Sequence, residues 1–147
     1  MIHPDEAQSK AHLVIEKTYA EIYKNYQKAL FVVQENNRAQ LASEAMTAND
    51  IEKLGTLIFG SHNGLQNQYK VSCDELDFLV DQAKESDDVI GSRMMGGGFG
   101  GCTINLIDKK QIAKFIEIAA KEYQLEYGKN LTPYLVSIEN GSGIIEK

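Results

Sequence analysis

Between Pro4 and Gly55 the chain contains no other proline or glycine, and Ala, Glu, Lys, Gln and Leu dominate it. These residues lose little freedom on entering a helix. Apolar positions Leu13, Ile15, Tyr19, Ile22, Tyr23, Tyr26, Leu30, Phe31 and Val33 recur at roughly helical spacing, although the stripe wanders. The pattern predicts one very long helix, or two joined near Asn25 or Asn36. Pro4 suits a first helical turn, and Asp5 and Glu6 complement the dipole there. Asn49-Asp50 marks a break. Beyond it Ile51, Leu54, Ile58, His62 and Leu65 share one face of a second helix that should end near Tyr69.

Ser72-Cys-Asp-Glu75 has the form of a capping box. Leu76, Leu79, Val80 and Ala83 follow at i, i+3, i+4 and i+7, so a short amphipathic helix should run to about Lys84. Ser86-Asp-Asp88 reads as a turn, Val89 to Met94 as a strand, and Cys102 to Ile107 as a second strand. Asp108-Lys-Lys-Gln111 opens another helix, with Ile112, Phe115, Ile116, Ala119 and Tyr123 inward and Gly128 beyond its end. Leu131 to Glu139 is expected as a strand, Asn140-Gly141 as a hairpin turn, and Ile144-Ile145 as a short returning strand. Helices first, then strand, strand, helix, strand, strand: the order predicts an α+β layer, with helices packed on one face of a small antiparallel sheet.

At 147 residues the chain is one domain, long enough to bury a core. A formal charge of −6 argues against nucleic acid or an anionic membrane surface as the main partner. No apolar stretch is long enough to span a bilayer, and Met1-Ile-His-Pro-Asp-Glu6 is not a signal sequence. Cys73 and Cys102 are too few and too far apart for a metal knuckle or a disulfide framework. Both are expected to be reduced, buried and structural, in a cytoplasmic protein.

The chemistry concentrates in Gly91-Ser-Arg-Met-Met-Gly-Gly-Gly-Phe-Gly-Gly-Cys102, where five of the six residues from Gly96 to Gly101 are glycine. Each glycine inside a helix or strand costs about 0.5–1 kcal/mol relative to alanine, so the run marks positive φ or close backbone approach. Gly96-x-Gly98-x-x-Gly101 satisfies the dinucleotide fingerprint in letters, but that motif needs a helix straight after it and an acidic residue about 20 positions on. Here a strand follows, and Glu117 and Glu122 lie inside a helix. A P-loop fails because Cys102 stands where its lysine must be. A structural hairpin remains possible, yet the loop is longer than a hairpin turn requires. The surplus favours a backbone concavity whose amides meet an anion or a neighbouring chain.

Arg93 could serve a phosphate, although pairing with a carboxylate such as Asp77 or Asp88 is the simpler expectation. Phe99 is expected to plug into the core, and His62 to be packed and hydrogen-bonded. Tyr19, Tyr23 and Tyr26 form an i, i+4, i+7 stripe suited to a core or an interface.

The glycine segment with Thr103 closely resembles the C-terminal glycine-rich motif of galactokinases, within the GHMP sugar and metabolite kinases. Ser61-His62, Leu65, Tyr69, Val71-Ser72-Cys73 and Glu75-Leu76-Asp77 resemble the family pattern Ser-His…Leu…Tyr-Glu-Val-Ser-Cys-Pro-Glu-Leu-Asp. Lys28 to Arg38 resembles its Arg-Ala-x-x-Val-x-x-Glu-Asn-x-Arg helix. The match runs in order from about Lys28 to the C-terminus. Met95 replaces threonine, Lys70 glutamate and Asp74 proline of that pattern. Lys70 and Asp74 are expected to be neutral surface changes, whereas Met95 removes a hydroxyl near the phosphates.

The resemblance implies a GHMP kinase C-terminal domain of ferredoxin-like type over residues 1–147. The sugar signature, the serine-rich phosphate loop and the catalytic base of the N-terminal kinase half do not occur here. In the intact enzyme, galactose is phosphorylated at C1 by ATP with Mg2+. The resemblance assigns Gly96, Gly97, Gly98, Phe99, Gly100 and Gly101 to the nucleotide-side wall of the cleft, and no catalytic or metal-ligating residue to this chain. The chain alone is then expected to be inactive, to pair with an N-terminal kinase domain, and to self-associate without it. Most sugar contacts belong to that other half, so galactose and N-acetylgalactosamine fit this chain equally. A non-catalytic galactokinase-like sugar or nucleotide sensor, and a purely structural interaction domain, are the alternative expectations.

Overall fold

A computed structural model describes residues 4–137. The proline- and glycine-free stretch forms a single unbroken helix, α1 (Pro4–Thr47). Neither Asn25 nor Asn36 interrupts it, since an asparagine with no glycine or proline beside it costs only tenths of a kcal/mol in a helix. Asn49, at φ 56°, turns the chain back. Asp50 caps α2 (Ile51–Gly64), its Oδ1 accepting the Lys53 amide at 3.0 Å. The helix widens into a π-helical turn, Leu65–Tyr69, and ends on Lys70 in the left-handed conformation. The end near Tyr69 expected from the apolar face is therefore correct.

Helix α3 (Asp74–Lys84) buries Leu76, Val80 and Ala83, as its periodicity requires. The capping box does not form. Cys73 occupies the cap position without a side-chain hydrogen bond, and Ser72 Oγ is buried with no hydrogen-bond partner. Glu75 turns outward to Lys129 Nζ at 3.0 Å instead of reaching back. That charge pair holds the Glu75 carboxyl below its usual range and the Lys129 ammonium above its own.

Strands β1 (Val89–Met95) and β2 (Cys102–Ile107) pair antiparallel, from Val89 with Ile107 to Met95 with Cys102, with an irregularity between Val89 and Gly91. Helices α2 and α3 pack on this sheet, and α1 packs on α2. Gly55 is the point of closest approach: a Cβ there would overlap the Ile90 carbonyl. Helix α4 (Ile112–Tyr127) ends at Gly128 in the left-handed conformation, as expected, and docks on α3. Phe78, Tyr123 and Tyr127 cluster between α3 and α4, with Phe78 and Tyr127 edge to face at 5.5 Å.

The α+β layer expected from the element order is present, with a two-stranded sheet among the described residues. Residues 131–137 are not a strand, contrary to expectation. Tyr134, Leu135 and Val136 are largely exposed and no ladder forms with β1 or β2. Apolar residues make a strand only where an edge can pair with them, and Pro133 lacks the amide for one of those bonds. The rest of that predicted strand, the Asn140-Gly141 turn and the Ile144-Ile145 strand lie outside the described residues.

Candidate functional site

The glycine loop joins β1 to β2 at their outermost pair, Met95 and Cys102. Gly96, Gly98, Phe99, Gly100 and Gly101 all have positive φ. One point fixes the loop to the body. Gly98 lies so close to Val71 that a Cβ would overlap its carbonyl oxygen, and the Phe99 amide donates to that oxygen at 2.7 Å. Gly96, Gly97 and Gly100 are different: a Cβ there would meet nothing within 4 Å. The loop is thus pinned in its middle, with bare backbone on either side open to a close neighbour.

Phe99 does not plug into the core. Its side chain is 75% exposed, on a residue held at φ 61°. That conformation costs a bulky L-residue about 1–2 kcal/mol. The hydrogen bond to Val71 turns the Phe99 backbone toward the body and sends the ring outward. Met95, Ile104 and Cys102 are also exposed on this end of the hairpin. Cys102 is therefore not buried as expected, and Cys73 is only half-buried; both are free thiols.

Beneath the loop, β1 is held by His62. This side chain is fully buried, and its Nδ1 accepts the Met94 amide at 3.2 Å. An accepting Nδ1 places the ring proton on Nε2. Nε2 stands 3.2 Å from Asp77 Oδ1, close in distance but poorly aligned as a hydrogen bond. Burial pushes the imidazole below its usual 6.5, against the raising pull of the Asp77 carboxylate. A neutral ring thus ties α2 and α3 to the strand that carries the loop, the packed role expected of it.

Arg93 pairs with neither Asp77 nor Asp88. Its Nη1 lies 3.6 Å from Glu35 Oε1, and its Nε donates to its neighbour's carbonyl, Met94 O, at 3.0 Å. Asp77 is taken by His62 and Asp88 by Lys114 at 2.8 Å. Glu35 also receives Arg38 Nε at 2.9 Å and a short hydrogen bond from the Ser61 hydroxyl. One half-buried carboxylate therefore joins α1, α2 and β1. Composition gave no sign of Glu35, but its place gave one: it falls on the helix face of Phe31, Arg38 and Ala42, where a carboxylate needs partners. Val71 stood in the resemblance only as part of a motif; its role in holding the loop was not legible, because its contribution is a backbone carbonyl.

Among the described residues no three His, Cys, Asp or Glu side chains converge on a metal-sized site. What the site offers is shape, an open glycine backbone and an outward aromatic ring, on a rigid base.

Residues 42–125 match the family model described as GHMP kinases C terminal. Over 115 residues, 78% of this chain and 30% of the relative, the sequence is 43% identical to a galactokinase from Enterococcus faecalis. A galactokinase from Fusobacterium nucleatum is 35% identical over 130 residues, 88% of this chain and 33% of the relative. The structure superimposes on Lactococcus lactis galactokinase complexed with galactose with a TM-score of 0.68 and 36% identity, covering 71% of this chain and 27% of that one. The chain thus spans about a third of the length of these relatives.

Proposed function

The chain belongs to the GHMP kinase C-terminal family, and on that premise we propose that it is the C-terminal portion of a galactokinase, which in its intact form uses ATP to phosphorylate galactose at C1. The observation that carries this reading is the pinned glycine loop on the β1–β2 hairpin. Phosphoryl transfer asks a protein mainly for positioning and for polar groups around spreading negative charge. Gly96, Gly97 and Gly100 leave room for a close approach no side chain would allow, and the loop meets that demand with backbone alone. Gly98, Gly101 and Phe99 complete the wall that faces nucleotide and the kinase half.

These residues fit a nucleotide phosphate lying against the loop; ATP supplies the transferred phosphoryl group. They do not fit Mg2+, for which the described residues assemble no carboxylate set. No step performed by this chain runs through the metal. The base and the phosphate-binding side chains belong to an N-terminal kinase domain, the partner of this one, in a cytoplasmic enzyme. In isolation the chain is inactive and self-associates through apolar surface.

The test is a coupled assay of ADP release with galactose and Mg-ATP. The chain alone should give no turnover; the chain mixed with the N-terminal half of a related galactokinase should restore it. Turnover by the chain alone would overturn the reading, as would a fully active N-terminal half that gains nothing from the mixture.

A further inference from the structure

Every described residue from His12 to Tyr26 on α1 is exposed, so this part of the helix stands clear of the body. Within its wandering apolar stripe one heptad series can be traced, with Leu13, Val14, Tyr23, Leu30 and Val32 lying beside it. His12, Ile15, Tyr19, Ile22, Tyr26, Ala29 and Val33 alternate spacings of three and four, the pattern of a coiled-coil seam. Ile15, Tyr19, Ile22, Tyr26 and Val33 are each between 57% and 70% exposed. At 3.6 residues per turn, the seam lies roughly 140° round the axis from Phe31, Arg38, Ala42 and Ala45, which meet the body. Helix α1 therefore carries two apolar faces, one used and one bare.

We propose that this seam pairs with the same seam of a second copy, forming an antiparallel two-helix coiled coil. The antiparallel sense follows from residue size. With helices reversed about a centre between Tyr19 and Ile22, Tyr19 faces Ile22 of the second copy, Ile15 faces Tyr26, and His12 faces Ala29. Each large side chain then meets a smaller one, the alternation that close packing requires. A parallel pair would stack tyrosine on tyrosine and histidine on histidine.

The flanks agree with this register. Glu16 comes opposite Tyr23 and Thr18 opposite Asn25, so no like charges face each other, while Lys17 and Lys24 point away from the seam. Each tyrosine brings on the order of 150–250 Å² to bury. With Tyr23 on the flank, the two isoleucines and Val33, one seam offers roughly 700 Å², near the about 800 Å² each partner gives in a standard stable interface. The two bodies sit at opposite ends of the pair, clear of each other. The helix gains the packing that an isolated one lacks in water.

Sedimentation equilibrium and cysteine cross-linking of the 147-residue chain test this, in a Cys73→Ser, Cys102→Ser background for the cross-links. The chain should sediment as a dimer, and Ile22→Glu should convert it to a monomer whose body still melts cooperatively. Ile15→Cys mixed with Tyr26→Cys should form a disulfide-linked pair, while neither does so alone. A monomeric parent chain overturns the proposal, and so does a dimer that survives Ile22→Glu. Cross-linking of Ile15→Cys by itself overturns the antiparallel pairing. A monomer whose seam becomes protected only on adding a kinase half assigns the face to that half and overturns it equally. None of these outcomes depends on kinase activity.

Discussion

Phe99 holds a left-handed backbone that glycine would adopt without strain, and its ring contributes nothing to the core. Phe99→Gly should therefore stabilise the domain by about 1 kcal/mol, read as a rise of a few degrees in melting temperature. If the loop lines the proposed contact with a kinase half, the same change should also weaken that association. Gly98 is the opposite case. Gly98→Ala forces a Cβ into the Val71 carbonyl at positive φ, and should cost about 2–4 kcal/mol in denaturant unfolding. His62 adds a pH dependence. The unfolded ring titrates near 6.5, while burial lowers the folded value. Below 6.5 the unfolded chain then binds more protons than the folded one. The contribution of His62 to stability is complete above that value and lost as pH falls through it toward the folded value. Melting followed across that range should show the loss, and His62→Gln should flatten it while lowering stability throughout by about 1–3 kcal/mol.

At the scale of elements, Glu35 sets how the layers meet. Arg38, Ser61 and Arg93 all depend on its carboxylate, from α1, α2 and β1 in turn. Glu35→Ala leaves two guanidinium groups and a buried hydroxyl short of a partner. It should cost about 2–3 kcal/mol, and Glu35→Gln somewhat less, because the amide oxygen still accepts from Ser61. Unfolding by urea distinguishes the two. The elements read well from sequence wherever one signal decided them. The missing glycine and proline left one long helix or two joined near Asn25 or Asn36, and the structure has one; α3 followed from its i, i+3, i+4 stripe, and the end of α4 from Gly128. They read poorly where a partner decided. Ser72-x-x-Glu75 has the letters of a capping box, yet Lys129 takes the glutamate and the helix begins beyond the serine. Residues 131–137 have the apolar content of a strand and no ladder to join.

For the whole molecule, the sheet and its helices form a base on which the glycine loop and Phe99 face outward, while α1 extends a second apolar surface away from that base. We propose different occupants for the two surfaces, a kinase half at the loop and a second copy on α1. The sequence by itself determined the α+β order and the position of the loop, because glycine density, capping residues and periodic apolar spacing act over a few neighbouring residues, while the family came from the resemblance of its motifs. Only the tertiary structure decided that Phe99 points outward, that Arg93 belongs to Glu35 and that Val71 anchors the loop. These depend on which backbone and side-chain groups meet across segments distant in the chain. A charged or aromatic residue alone does not name its partner; packing chooses it by distance, burial and the demand that buried polar groups be satisfied.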